Sequence, residues 1–85
     1  MSGCDHKGPV EIMSLAETWL RDRGIYEEQW PGMTVRHAEN TPGGMWASVV
    51  IDIERRGNQW IVTKLDRNRE PLSEPEGLRV VSKSS

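Results

Sequence analysis

Apolar residues recur at helical spacing in one stretch of the chain. Ile12, Leu15, Ala16, Trp19 and Leu20 fall at i, i+3, i+4, i+7 and i+8, while Glu11, Glu17, Arg21 and Asp22 occupy the other faces, which is the signature of a helix burying one stripe. Pro9 suits the first helical turn, Glu11 the positive end of the helix dipole, and Arg21 and Arg23 the negative end. Gly24 supplies a left-handed C-terminal cap with Ile25 folding back as its apolar contact. The spacing predicts a helix over 9–23 whose whole stripe, Trp19 included, is core.

Beyond the helix the period changes from 3.6 to 2. Pro31-Gly32 fits the central positions of a type II turn. Residues 33–39 then alternate, with Met33, Val35 and His37 on one side and Thr34, Arg36 and Ala38 on the other. Asn40-Thr41-Pro42-Gly43-Gly44 ends that run and suits a hairpin connection. Residues 45–54 and 59–66 are two strand-like runs rich in β-branched residues, joined around Gly57-Asn58, a pair that tolerates the positive φ of a tight turn.

Two registers of this hairpin compete. A three-residue loop over Arg56, Gly57 and Asn58 opposes Ile53 to Ile61 and Val49 to Leu65. A two-residue Gly57-Asn58 turn opposes Ile53 to Val62 and Ile51 to Lys64, and the one-residue slip exchanges faces. The three-residue loop is preferred because it sets apolar side chains against one another. That register places Trp60 and Val62 with Trp46 and Val50 on a mixed sheet face, away from Ala47, Val49, Ile51 and Ile53.

Residues 66–71 read as a polar turn, 72–77 as a loop, and Leu78, Val80 and Val81 as a short final strand. The expected fold is α+β in two layers: an N-terminal helix packed on a three- or four-stranded antiparallel β-meander. A leader over 1–8, a single domain over 9–81 and a tail over 82–85 complete the organisation.

Composition supports one folded unit. The chain has 85 residues, 35% hydrophobic and 28% charged, with a net charge of −2, far from the signature of disorder. Such a charge offers no global basic field for nucleic acid or an anionic membrane. Cys4 is the only cysteine, so no intrachain disulfide forms and a reducing, cytoplasmic setting is expected. Neither a signal-peptide core nor an apolar run of membrane-spanning length is present, so export and membrane insertion are not expected.

Candidate chemistry is sparse. Arg55, Arg56, Lys64, Arg67 and Arg69 surround a single acid, Asp66, over 55–69. A strand of about eight residues at roughly 3.3 Å each separates the two arginine pairs by about 25 Å, so solvated turn charges are the simpler reading. Four tryptophans without a phenylalanine invite an interface, since Trp is enriched at binding hot spots. Trp30, in a Gln-Trp-Pro-Gly loop, is the best candidate for an exposed anchor, although folding over the core edge is the commoner fate of a loop Trp. Trp46 and Trp60 are further candidates on the mixed face.

Cys4, Asp5, His6 and His37 lack the paired spacing that closes a zinc site, and no metal or cofactor is expected. His37, expected at a surface or boundary, has no activated nucleophile beside it. Acid pairs Glu27-Glu28 and Glu74/Glu76 sit in loops without an apolar pocket to raise a pKa. The pattern therefore points to a non-enzymatic protein that binds another protein, or itself, through a sheet face, an edge strand or a Trp-bearing loop. The alternative is a nucleic-acid or phosphate binder using Arg55, Arg56, Arg67 and Arg69, and a more remote one is an enzyme or ligand carrier with His37 in a groove.

Overall fold

The computed structural model describes residues 8–40 and 47–83. Expectations for the first seven residues, for the connection at 41–44, for Trp46 and for the last two residues lie outside that set. One helix, α1 (Pro9–Asp22), precedes four strands: β1 (Met33–Asn40), β2 (Ser48–Arg56), β3 (Gln59–Asn68) and β4 (Gly77–Lys83). The predicted α+β architecture is present, with the helix on a four-stranded antiparallel open sheet of order β3-β2-β1-β4. Strands β1, β2 and β3 form the meander. Strand β4 returns to pair with β1, which makes the sheet a Greek key.

The ends of α1 follow from its sequence. Gly8 is the N-cap, Pro9 opens the first turn, and the Ile12 amide bonds the Gly8 carbonyl at 3.0 Å. At the other end the Ile25 amide donates to the Leu20 carbonyl at 2.9 Å and the Gly24 amide to Arg21 at 3.0 Å, the paired bonds of a Schellman cap. A single 3-10 turn, Glu27–Gln29, then leads into Pro31-Gly32. There the Met33 amide closes on the Trp30 carbonyl at 2.9 Å and Gly32 takes φ +81°, the expected type II turn.

The buried seam of α1 is narrower than the stripe in its sequence. Ile12, Ala16 and Leu20 are fully buried, whereas Leu15 is 36% exposed and Trp19 packs on the core only in part. A helix resting on the middle of the sheet buries the residues that face β2 and leaves the stripe's flank at the margin. The core is completed by Trp30, Met33, Val35, Val49, Ile51 and Ile53.

The hairpin between β2 and β3 corrects the preferred register. Arg56 faces Gln59 and Ile53 faces Val62, so the turn is the two-residue Gly57-Asn58. A bulge at Thr63 then sets Ile51 opposite Leu65 and Asp52 opposite Lys64, a pairing of neither expected register, and Val49 faces Arg67 rather than Leu65. The Thr63 hydroxyl donates to the Asp52 carbonyl at 3.3 Å across this irregularity. An extra residue reverses side-chain parity, and the consequence is large. Trp60 and Val62 lie on the helix-covered face with Ile53 and pack against the core, not on the opposite face as the three-residue loop required. Lys64 turns away from the helix.

Gly57 has φ +60°, and a Cβ there would meet no atom within 4 Å. Any cost of substitution is therefore backbone strain alone. Gly57→Val is expected to lower stability by about 1–2 kcal/mol, and Gly57→Asn by much less, as read from urea midpoints.

On the sheet face away from α1, the connection 69–76 passes from β3 back to β4. The Asn40 side-chain carbonyl accepts from the Leu72 amide at 2.9 Å, and the Asn40 amide donates to Glu76 at 2.6 Å. Ala38, Ser48 and Asp52 are buried on this polar side. No helix among the described residues is long and apolar enough to cross a membrane.

Candidate interaction surface

The sequence-nominated residues separate into three places. Trp30 is not an exposed anchor: it is 1% exposed and is the largest fully buried side chain. Its indole N–H donates to the Ile25 carbonyl at 3.1 Å, and its ring lies 5.8 Å from that of Trp60 at 42°. Arg55 reaches between the two rings, 5.3 Å from the Trp30 centroid and 5.5 Å from the Trp60 centroid. Glu17 on α1 accepts from the Trp60 indole at 3.0 Å and pairs with Arg55 at 3.4 Å. Arg55, Trp30 and Trp60 thus close a cation–π and hydrogen-bonded clasp between helix and hairpin. They hold the fold together.

The basic residues do not converge. Arg55 is engaged in that clasp, and Arg56, exposed at the turn, pairs with Glu54 at 3.1 Å. Arg67 at the far end of β3 and Arg69 just beyond it have no ion-pair partner among the described residues. The expected division into two groups about 25 Å apart follows from the length of β3. No single phosphate-sized patch unites the four.

The polar face carries an ion network that the sequence did not single out. Arg36 holds Asp52 with two hydrogen bonds, Nε to Oδ1 at 2.7 Å and Nη2 to Oδ2 at 3.0 Å. Glu74 from the crossover bridges Arg36 at 3.5 Å and Arg79 at 3.1 Å. The bond to Asp52 raises the Arg36 pKa above its already high ordinary value, so this guanidinium is charged wherever the protein is folded. Opposed positions on β1 and β2 explain the pair, and a cross-strand partner is hidden until the register is known.

Between crossover and sheet lies a cavity of about 240 Å³ bordered by Ser48, Val50, Lys64, Asp66, Glu70 and Leu72. It is smaller than the usual range for small-molecule sites, about 300 Å³ upward. Lys64 pairs with Asp66 at 3.3 Å at its mouth. Among the described residues no group of three or more His, Cys, Asp or Glu is arranged to hold a metal ion. His37, expected near the surface, is instead buried on the helix-covered side of β1, with Nε2 3.3 Å from a Glu39 carboxylate oxygen.

Both sheet edges are irregular. On β3 the outer strand is broken by the bulge at Thr63 and carries Lys64 and Arg67, devices that discourage strand addition. On β4 the pairing with β1 shifts register between Thr34 and Val35, leaving Val81 as an extra residue, and Val80 is 36% and Val81 45% exposed. Arg79, the charge nearest these valines, is tied to Glu74. On α1, Glu17 points toward β2 and β3 through Arg55 and Trp60, and Leu15 and Trp19 lie on the opposite flank by the 100° helical rotation, with the Arg23 guanidinium 4.3 Å over the Trp19 ring. The β4 margin combines unpaired backbone with exposed apolar side chains. No family model, curated protein or solved structure matches the chain.

Proposed function

We propose that the protein is a non-enzymatic interaction module that takes a protein partner by strand addition at β4. The observation that carries this reading is the outer edge of β4, where Val80 and Val81 stand partly exposed beside a row of backbone donors and acceptors that pairs with no further strand among the described residues. Strand addition draws affinity from main-chain hydrogen bonds and specificity from alternate side chains. Burial of Trp30 and the packing of Trp60 against the core argue against the loop-anchor route and favour the edge. The polar side chains support the reading too, because Arg36, Asp52, Glu74 and Arg79 satisfy one another within the sheet. A cytoplasmic setting, consistent with the lone Cys4, is part of the same proposal.

Affinity capture from host lysate tests it. Immobilised wild-type protein is compared with a Val80→Lys/Val81→Lys variant and with Leu65→Lys, which alters the other edge strand. Circular dichroism checks that each variant is folded. Specific capture that survives Leu65→Lys and disappears with the β4 pair is the expected result. Equal capture by all three proteins would contradict the proposal.

A further inference from the structure

We propose that the cavity beneath the crossover is a binding site for a small hydroxylated ammonium compound. The site lies on the sheet face away from α1 and does not rest on the strand-addition reading.

A buried hydroxyl with nothing to bond is the first observation. Ser48 is 3% exposed and borders the cavity, yet its side chain makes no hydrogen bond among the described residues. Strands favour β-branched side chains, and Val49 and Val50 follow directly. A hydroxyl buried at such a position is unfavourable unless something bonds to it. Its cross-strand neighbours are Asn40 on β1 and Asn68 on β3, and Asn40 directs its side-chain carbonyl to the Leu72 amide at 2.9 Å. The Ser48 hydroxyl is left to whatever fills the cavity.

The roof is the second. The crossover is tied down by that Asn40 bond and by Glu74, which reaches Arg36 at 3.5 Å and Arg79 at 3.1 Å. The cavity is therefore built before any ligand arrives. A preformed site spares the ligand the ordering of a loop.

Charge is the third, and it selects the ligand. Lys64 is paired with Asp66 at 3.3 Å, and Glu74 with two arginines. Of the charged residues bordering the cavity, Glu70 has no ion-pair partner among the described residues. A cation restores the balance, whereas an anion adds repulsion. A metal ion does not suit, since no group of three or more His, Cys, Asp or Glu among the described residues is arranged to hold one. An ammonium group needs no such shell, because its three donors reach separate acceptors. Ser48, Asn68 and Ser73 border the same space and match ligand hydroxyls, while Val50 and Leu72 match its carbon skeleton. The volume of about 240 Å³ equals that of roughly eight liquid waters, which admits a compound of about eight to twelve non-hydrogen atoms.

Amide resonances of the labelled full chain supply the test, titrated at constant ionic strength with tris(hydroxymethyl)aminomethane and with glucosamine. Glucose and glucuronate serve as neutral and anionic counterparts. At least one amine is expected to give saturable shifts at amides around Ser48, Asp66 and Leu72, with a dissociation constant of roughly millimolar order. Glucose should bind about tenfold more weakly and glucuronate more weakly still. Glu70→Gln and Ser48→Ala should each weaken amine binding roughly fivefold or more, and Ser48→Val, which fills the site, should abolish it. Circular dichroism checks the fold of each variant. If Ser48→Val does not fold, Glu70→Gln at an exposed position keeps the test decisive. No saturable shift with either amine, as from a cavity holding water only, would overturn the proposal. So would binding of glucose or glucuronate as tight as that of the amines, or amine binding indifferent to both Glu70→Gln and Ser48→Ala.

Discussion

Trp30→Ala is expected to remove a large share of the stability of the fold. The indole is the largest fully buried side chain and touches every part of the clasp: the Ile25 carbonyl at 3.1 Å, the Trp60 ring at 5.8 Å, and the guanidinium groups of Arg21 and Arg55, each 5.3 Å from its centroid. Truncating a buried aromatic costs about 3–5 kcal/mol through lost transfer energy and the cavity left behind. A domain of this size has a total stability of roughly 4–13 kcal/mol, so the loss consumes a large share of it. Trp30→Phe keeps an aromatic ring but loses the N–H donor, leaves the Ile25 carbonyl short of a partner and should cost only about 1–3 kcal/mol. Urea unfolding followed by far-UV circular dichroism reads both variants without depending on the altered fluorophore. A Trp30→Ala midpoint close to wild type would mean that the clasp is ornamental.

The second large effect is expected at Asp52. Its carboxylate receives both hydrogen bonds of the Arg36 fork, and the two side chains are mostly buried, at 10% and 20% exposure. Removing one member of such a pair strands the other, at about 2–4 kcal/mol once the remaining partner Glu74 and partial solvent access are allowed for. Asp52→Ala should therefore be strongly destabilising, and Glu74→Gln, which leaves the two-bond pair intact, much less so. A double variant, Arg36→Met/Asp52→Leu, should recover much of the loss, because an apolar pair pays no desolvation penalty. Equilibrium denaturation of the full cycle gives the coupling directly. The pH dependence has a definite sign. A cation whose pKa is raised on folding contributes stability that is complete below its unfolded pKa and lost only as pH rises through the folded value. For Arg36 both lie above the ordinary working range, so no alkaline loss from this guanidinium is expected below about pH 11.

Much of the architecture was legible because local signals agreed with one another. The helix that carries Ile12, Ala16 and Leu20, the Gly24 cap and the Pro31-Gly32 turn are all decided within a few residues, and each appears where the sequence put it. The hairpin register was not legible, for a reason internal to the sequence. Trp60 and Val62 have one parity and Leu65 the other, so no uninterrupted strand places all three on one face. The bulge at Thr63 resolves the conflict, and a bulge has no strong signature in a single sequence. The mixed face expected to gather Trp60 and Val62 with Trp46 and Val50 was a product of the wrong parity at Trp60 and Val62.

The long-range pairings were hidden for a related reason. Arg36 meets Asp52 only through the β1–β2 register, and Glu74 reaches them only because the crossover returns β4 to the side of β1. The same return makes β4 an edge. Local pattern identified Leu78, Val80 and Val81 as a strand but left open what lay on its outer side, which depends on strand order alone.

Amide resonances of isotopically labelled protein, recorded before and after addition of the protein captured from lysate, test the open edge most directly. The expected result is a change centred on residues 78–82, with the β3 edge unchanged. Resonances at β4 that do not move when that protein is added, or changes centred on β3 or the polar face, would contradict it.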